Sequence, residues 1–194
     1  IQKLYADGQI DRITEHMATR INRMLADQLQ GYMARKPKNG RRIVVTCGEG
    51  ESEELGAQMI ADLFEVDGYH VWFVGAGVPE DEIVQLVGRL EPDVLCIYGA
   101  QPKGVPGIRH LIDHVREINA VPNMQVLVAG GVFSRAEGLA EEVRADLFAH
   151  NAREALRLVE DHPIRIPQPD VPQPGRRRKR KRRSTPKLET ANAK

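Results

Sequence analysis

Acidic residues cluster directly after the first strongly apolar run of this 194-residue chain. The run Ile43–Cys47 ends at Gly48, and Glu51 and Glu53 follow within six residues. Paired carboxylates are what general acid–base catalysis or the binding of a hard metal ion requires. No other group in the sequence completes such a site. Two interpretations stay open: a ligand-binding loop, and acidic residues that favour a helix N-terminus through its dipole.

Histidines are weaker candidates for metal chemistry. His110 and His114 are four residues apart, so one helix face would present both to a metal ion, but the sequence offers no third ligand near them. We therefore favour a solvated helix surface for this pair. His16 lies in a segment with helical periodicity and is either a boundary residue or a ligand. His150 follows the last predicted strand and stays a minor candidate for a site at the sheet edge.

The glycine-rich segments argue against several phosphate-binding classes. Gly48-x-Gly50 lacks the third glycine that a dinucleotide-binding loop needs, and no Walker lysine occurs. A receiver domain of related topology would end its third strand with a phosphoacceptor Asp, where this chain has Ile97-Tyr98-Gly99. The sequence therefore disfavours nucleotide and phosphoryl chemistry.

Alternating extended and helical patterns predict the elements that position these residues. The predicted strands are Ile43–Cys47, His70–Val74, Val94–Tyr98, Gln125–Ala129 and, weakly, Ala145–Phe148. The predicted helices are Ser52–Val66, Glu80–Leu90, Ile108–Ile118, Arg135–Val143 and Ala152–Glu160. Continuous apolar strands separated by helices are typical of a parallel sheet covered on both faces. We therefore predict an α/β domain over residues 41–161, with a flavodoxin-like, doubly wound, parallel five-stranded sheet.

The two ends of the chain differ in composition from this domain. Residues 1–36 repeat apolar side chains at spacings of three and four, which predicts a helical segment broken near Gly8. Residues 162–194 begin Pro-rich and end strongly basic, which predicts a linker and a disordered tail. From Gly175 onward ten basic residues face one acidic residue, whereas the preceding part has 18 basic and 26 acidic residues. Residues 176–183 are all Lys or Arg, so the tail would bind DNA or RNA phosphates, unless it only adds solubility.

Bulk composition narrows the class further. Cys47 and Cys96 lie at apolar runs, so we expect buried thiols of a reducing compartment and no disulfide. No apolar stretch approaches the roughly 18 residues of a membrane span, and no signal peptide is visible. We predict a cytoplasmic protein that contacts no membrane. Because the chain begins at Ile1, we also expect that an upstream domain is missing.

Several short motifs, in this order, resemble those of the cobalamin-binding domain family. Glu51-x-Glu53-x-x-Gly56 lies where that family has Asp-x-His-x-x-Gly. The further matching motifs are Asp67-Gly68-Tyr69-His70-Val71, Val74-Gly75-Ala76-Gly77-Val78-Pro79, Glu91-Pro92-Asp93-Val94-Leu95 and Val128-Ala129-Gly130-Gly131. The likeness covers the whole predicted α/β domain. It departs from the family at one decisive position, because Glu53 replaces the histidine that binds cobalt.

The N-terminal segment adds a second likeness. Tyr5 and the pair Glu15-His16 resemble the end of the helical cap in light-sensing, cobalamin-dependent regulators of the MerR type. In that cap a Trp precedes the Glu-His pair by ten residues, and here Tyr5 takes its place. The resemblance implies that residues 1–36 form a partial cap, with an apolar lid over the ligand and with His16 as a metal ligand at its upper face.

The resemblance also implies a tetrapyrrole bound between this cap and the sheet. Its ring would lie on the carboxyl edge of the sheet, and its nucleotide tail would enter a slot between strand and helix that the Gly-Gly pair helps to open. The implied cofactor-binding residues are Tyr5, Glu15, His16, Glu51, Ser52, Glu53, Gly56, Gly75, Val78, Gly99, Gly130 and Gly131. Because no imidazole lies at the lower face, we expect either cobalamin without a lower protein ligand or another tetrapyrrole, such as heme or a bilin.

These features together predict a binding module and not an enzyme. We expect a cobalamin- or tetrapyrrole-binding sensor within a transcriptional or signalling regulator, with a homo-oligomer as an open alternative to a monomer. Two other functions stay open: a corrinoid carrier protein of a methyltransferase, and a degenerate scaffold without ligand whose tail binds nucleic acid. The missing histidine weighs against the carrier, because carriers of this family depend on cobalt bound by the protein.

Overall fold

Five parallel strands form the sheet that positions the site in this computed structural model, which describes residues 1–165. The strands are β1 (Arg42–Cys47), β2 (His70–Gly75), β3 (Val94–Tyr98), β4 (Gln125–Ala129) and β5 (Leu147–Ala149). They pair in the order β2-β1-β3-β4-β5, and every pair is parallel. The predicted flavodoxin-like sheet is confirmed. Because the sheet grows in opposite directions from β1, the carboxyl ends of β1 and β3 flank a crevice of the kind that binds ligands.

Helices cover both faces of the sheet. The helices are α1 (Gln2–Ala6), α2 (Arg12–Gln30), α3 (Leu55–Val66), α4 (Glu80–Leu90), α5 (Val105–Ile118), α6 (Gly131–Arg135), α7 (Leu139–Glu142) and α8 (Ala152–Asp161), with a 3-10 turn at Pro102–Gly104. Alternate strand residues point to opposite layers: Val44 packs with α4 and α5, whereas Ile43 and Val45 pack with α3 and α8. Burial on both faces explains why the strands are continuous apolar runs.

The first helix of the α/β domain begins later than predicted. α3 starts at Leu55 and not at Ser52. The Glu51 carboxylate accepts the backbone N–H groups of Ser52 and Glu53, and this holds the segment in a turn. The side chain therefore competes with the helix for its first backbone donors.

Three other elements differ from the sequence prediction by two residues or more. The single helix predicted over residues 135–143 is wrong, because Gly138 adopts φ of 78° and separates α6 from α7. β5 begins at Leu147, after a left-handed Arg144 with φ of 63°. α5 begins at Val105, with Pro106 in its first turn, where a missing N–H is harmless.

The N-terminal helix α2 contacts the domain through polar groups. Gln30 donates hydrogen bonds of 2.9 Å to the carboxylates of Asp62 and Glu65 on α3. The apolar residues that recur along α2 instead lie at the surface, since Ile13 is 70% exposed and Met17 is 60% exposed. The helix therefore presents its polar side to the protein, the reverse of the usual arrangement.

Several expectations concern the ends and the surface of the chain. The basic segment 176–183 and most of the predicted linker and tail lie outside the described residues. Within residues 1–165, no helix combines the length and the apolarity that a membrane span needs. Cys47 and Cys96 are buried free thiols, as expected. Burial raises the pKa of Cys47 to about 12, which leaves it unreactive at neutral pH.

Candidate functional site

A cavity of about 550 Å³ lies between the N-terminal helices and the carboxyl edge of the sheet. One wall comes from α1 and α2, and the other comes from the loops after β1 and β3 and from α6. The residues that line it are Tyr5, Arg12, Glu15, His16, Thr19, Arg20, Arg23, Ser52, Glu53, Ala100, Gln101, Pro102 and Arg135. Five residues predicted from sequence therefore come together here: Tyr5, Glu15, His16, Ser52 and Glu53.

The buried carboxylate of Glu51 fixes the lower wall of this cavity. Its Oε1 accepts hydrogen bonds from the N–H groups of Ser52 (3.0 Å) and Glu53 (3.1 Å). Its Oε2 accepts from the N–H groups of Ala100 (2.7 Å) and Gln101 (3.1 Å). Glu51 is only 7% exposed, so these four donors replace water around the charge. Because both oxygens are engaged, this residue joins two loops and is not poised for acid–base or hard-metal chemistry.

Glu53, at the position of the family's cobalt-binding histidine, lines the cavity. Within the described part of the chain its carboxylate takes part in no hydrogen bond or ion pair. The adjacent Glu54 is fully engaged, since it accepts the Ala76 N–H at 2.7 Å and pairs with Arg23 at 3.0 Å. Glu54 therefore connects α3 to α2 and to the loop after β2, while Glu53 stays available to a ligand.

The upper wall is the polar face of α2. Glu15 is 8% exposed, accepts a hydrogen bond of 3.2 Å from the Thr19 hydroxyl and lies 4.0 Å from His16 Nε2. In residues 1–165, no three His, Cys, Asp or Glu side chains converge as a metal site. His16 as a metal ligand therefore stays a prediction. The expected apolar lid is wrong, because α2 opposes a rim of backbone donors and carboxylates and turns its polar side towards it.

The predicted glycine positions do not belong to the lining of the cavity. Gly99 and Gly130 bring the ends of β3 and β4 together: Gly130 has φ of 113°, and a Cβ there would overlap the Gly99 carbonyl. A Cβ on Gly56 would collide with the phenol ring of Tyr98. The other predicted positions outside the lining are Glu51, Gly75, Val78 and Gly131.

Sequence reasoning missed the basic side of the cavity. Arg12, Arg20 and Arg23 line it from α2, and Arg135 lines it from α6. The signal was present, since positions 12, 16, 20 and 23 recur with a helical period. The stronger apolar period on the opposite face obscured it. The other lining residues that were missed are Thr19, Ala100, Gln101 and Pro102.

A second polar cluster, outside the cavity lining, connects α4 to α5. The two oxygens of Glu80 contact Nδ1 of His110 at 2.6 Å and Nδ1 of His114 at 2.5 Å. The hydrogen bond and the charge of Glu80 raise the pKa of His110. Because the Glu80 carboxylate contacts both imidazole rings, a helix–helix contact accounts for the two histidines without a metal ion.

Corrinoid proteins are among the relatives and solved structures that resemble this chain. Dimethylamine corrinoid protein 1 of Methanosarcina acetivorans is 25% identical over 108 residues, which are 56% of this chain and 50% of that protein. The chain therefore spans about half the length of this curated relative. The monomethylamine corrinoid protein of Methanosarcina barkeri shares the fold with a TM-score of 0.75 at 16% identity, over 82% of this chain and 76% of that one.

A third similar structure is the methanol:cobalamin methyltransferase complex MtaBC of Methanosarcina barkeri. It aligns with a TM-score of 0.59 at 18% identity, over 82% of this chain and 60% of that chain. At such identities the likeness shows the fold alone.

The sequence of the α/β domain identifies the family to which this chain belongs. Residues 41–160 match the sequence model described as the B12 binding domain. The matched region contains the whole sheet, the helices that cover it and the loop from Glu51 to Gly56. The predicted cofactor class, cobalamin, agrees with that description. This chain belongs to the B12-binding domain family.

Proposed function

We propose that this chain is a corrinoid carrier module that holds a corrinoid for a partner methyltransferase and catalyses no reaction itself. The observation that carries the proposal is the cavity in which Glu15 and His16 of α2 lie over Ser52 and Glu53 of the β1 loop. The relatives named above support a carrier, since they are corrinoid proteins.

The residues of the cavity fit the ring of a corrinoid. Its volume is within the range of small-molecule sites, and a helix covers it from one side. Ala100 and Pro102 contribute short apolar surfaces to the lining, while Gln101 and Tyr5 contribute polar groups. In this arrangement Glu51 keeps the two rim loops in place, and α2 excludes water from one face of the ring. When bound, the corrinoid supplies the cobalt centre on which one-carbon groups are carried.

The same residues do not fit an inserted nucleotide tail. The family likeness implies a slot between a strand and a helix. In this chain the Tyr98 phenol, at the end of β3, lies against Gly56 of α3 and occupies the space between these two elements. Burial raises the pKa of Tyr98, so the ring lies in this layer as a neutral phenol. The β1 loop would also supply no imidazole to the cobalt, because Glu53 offers only a hard carboxylate oxygen. The proposal therefore assigns to this chain the binding of the ring alone.

Titration of the full chain with cobinamide, followed by gel filtration and absorbance spectroscopy, tests the proposal. We expect the visible absorbance to elute with the protein in equimolar amount. Thr19→Trp should abolish this binding, because an indole at that position fills the cavity from α2. Met17→Trp, on the exposed outer face of the same helix, is the matched control and should bind normally. Protein that elutes without corrinoid, or equal binding by the two variants, would refute the proposal.

A ligand sensor is the second candidate, and Glu53 favours it. The family likeness implies that carriers rely on a histidine bound to cobalt, whereas a sensor needs only a surface that changes with occupancy. Light scattering with and without cobinamide, in the dark and after illumination, separates the two functions. A ligand-dependent change in molar mass supports the sensor, and a constant mass supports the carrier.

Mobility-shift assays before and after removal of the residues beyond Pro174 test whether the tail binds DNA or RNA independently.

A further inference from the structure

The face of α2 that lines the cavity is predominantly basic. Arg12, His16, Arg20 and Arg23 recur at spacings of four, four and three residues, which places them on one side of the helix. All four line the cavity, and Arg135 lines it from the opposite wall. An amphipathic helix normally turns its apolar side to the protein, so this orientation points to a function of the basic side.

Two of these guanidinium groups have no partner among residues 1–165. Arg23 is paired with Glu54 at 3.0 Å, and Arg135 donates a hydrogen bond of 2.6 Å to a backbone carbonyl. Arg12 and Arg20 take part in no hydrogen bond or ion pair within the described part of the chain. They are eight residues apart, so about 12 Å of helix separates them.

The acids in the lining do not balance this charge. Glu15 and Glu53 are its two carboxylates, against four guanidinium groups. The Glu15 carboxylate already accepts a hydrogen bond from Thr19 and lies 4.0 Å from His16. Within the lining the guanidinium groups exceed the carboxylates by two when His16 is neutral. The carboxylates of Glu51 and Glu54 lie behind the opposite wall, so the excess positive charge is on the α2 side, at Arg12 and Arg20. Such a field attracts an anionic ligand, most strongly where the ligand displaces water.

We infer that Arg12 and Arg20 bind carboxylate groups at the periphery of the ligand, so that the cavity selects a tetrapyrrole with free acid side chains over one with neutral amides. A guanidinium group holds a carboxylate through two parallel charge-assisted hydrogen bonds, and an amide oxygen gains much less from it. Carboxylates at different edges of a large planar ring can reach both arginines at once, whereas a four-carbon dicarboxylate is too short to span the distance between them. The inference rests on the proposed function, because it assumes that the ring lies in this cavity.

A matched pair of corrinoids tests the inference on the full chain. Cobyrinic acid carries carboxylate side chains on the corrin ring, cobinamide carries amides, and neither has a nucleotide tail. Affinities come from the change in corrin absorbance on titration at low and high salt. We expect cobyrinic acid to bind about tenfold more tightly at low salt, and this preference to shrink at about 0.5 M NaCl because salt screens exposed charges.

Variants identify the side chains responsible. Arg12→Gln and Arg20→Gln should each weaken cobyrinic acid about threefold, the effect of one exposed ion pair, and should weaken cobinamide less, so that each variant reduces the preference between the two corrinoids. Arg89→Gln removes an exposed arginine of α4 outside the lining and should change neither affinity.

Equal affinity for the two corrinoids, or an equal loss in all three variants, overturns the inference and leaves corrinoid binding intact. Displacement by succinate at equal concentration overturns it as well, because the site would then bind small acids. If neither corrinoid binds, the proposed function is overturned.

Discussion

Replacement of Glu51 should loosen both loops of the lower cavity wall. One carboxylate accepts four backbone N–H groups, two from the β1 loop and two from the β3 loop. Glu51→Ala removes this acceptor and leaves four donors without a partner. Glu51→Gln keeps one oxygen but turns an amide NH₂ towards two N–H donors, so it should destabilise the protein as well, to a smaller extent.

The size of the effect follows from the number and the exposure of these bonds. A hydrogen bond to a charged group contributes about 1.5–3 kcal/mol. The four contributions do not add, because Ser52 is exposed and water can reach its N–H group once the carboxylate is gone. We expect Glu51→Ala to lower the free energy of unfolding by about 3 kcal/mol, which for a domain of this size lowers Tm by about 6–12 °C.

Urea unfolding followed by far-UV circular dichroism measures this loss. Glu53→Ala is the matched control, two residues away, because its carboxylate has no hydrogen-bond partner in the described residues, and it should stay within about 0.5 kcal/mol of the wild type. Cobinamide affinity should fall with Glu51→Ala even at temperatures well below its Tm, since both rim loops lose their anchor. An unchanged midpoint for Glu51→Ala, or equal losses in both variants, would show that this carboxylate does not hold the loops.

Three further predictions concern two titrating groups and one ring contact. Burial and neighbouring carboxylates raise the pKa of Asp62 from 3.8 to about 6. The protonated side chain therefore stabilises the fold fully below pH 3.8, and this contribution is lost as the pH rises through about 6. Asp62→Asn should flatten the urea midpoint over this range. Glu80 raises the pKa of His110 above 6.5, so their contact stabilises the fold below pH 6.5 and is lost as the pH rises through the raised value. Glu80→Gln should lower the pKa of His110 in an NMR titration, and an unmoved pKa would contradict the contact. Tyr98→Ser should open space beside Gly56 and improve the affinity for cobalamin relative to cobinamide; an unchanged ratio in absorbance titrations would mean that the phenol closes no slot.

Elements with a strong local pattern could be predicted to the residue. Val94–Tyr98, Gln125–Ala129 and Glu80–Leu90 have the bounds that the sequence indicated. Their apolar patterns begin and end at Pro, Asp or Gly signals, and the sheet then buries the same residues. Local preference and tertiary packing agree there, so a single sequence is sufficient.

The lower wall of the site could not be predicted in this way. Its conformation depends on Glu51, whose acceptor oxygen meets the N–H groups of Ala100 and Gln101, 49 and 50 residues further along the chain. Residues 52–54 have a helix-compatible sequence, and they form a turn because Glu51 accepts the N–H groups of Ser52 and Glu53 while its other oxygen is fixed by the distant β3 loop. Sequence analysis could identify Glu51 as a candidate and could not assign its role.

The orientation of α2 depends on what the helix faces. The carboxyl edge of the sheet presents the carboxylates of Glu53 and Glu54, and apolar side chains over them would bury charge without a partner. A polar helix side avoids that cost, so α2 is held by contacts such as Arg23 with Glu54 and Gln30 with Asp62. Exposed polar pairs contribute about 0–1 kcal/mol each, so α2 docks weakly when the cavity holds no ligand. A ring that touches both walls adds contacts which only the docked helix can make, and binding and docking therefore stabilise each other. For this reason the protonation of Asp62, which lies at the α2–α3 contact, should also change the affinity for the ligand.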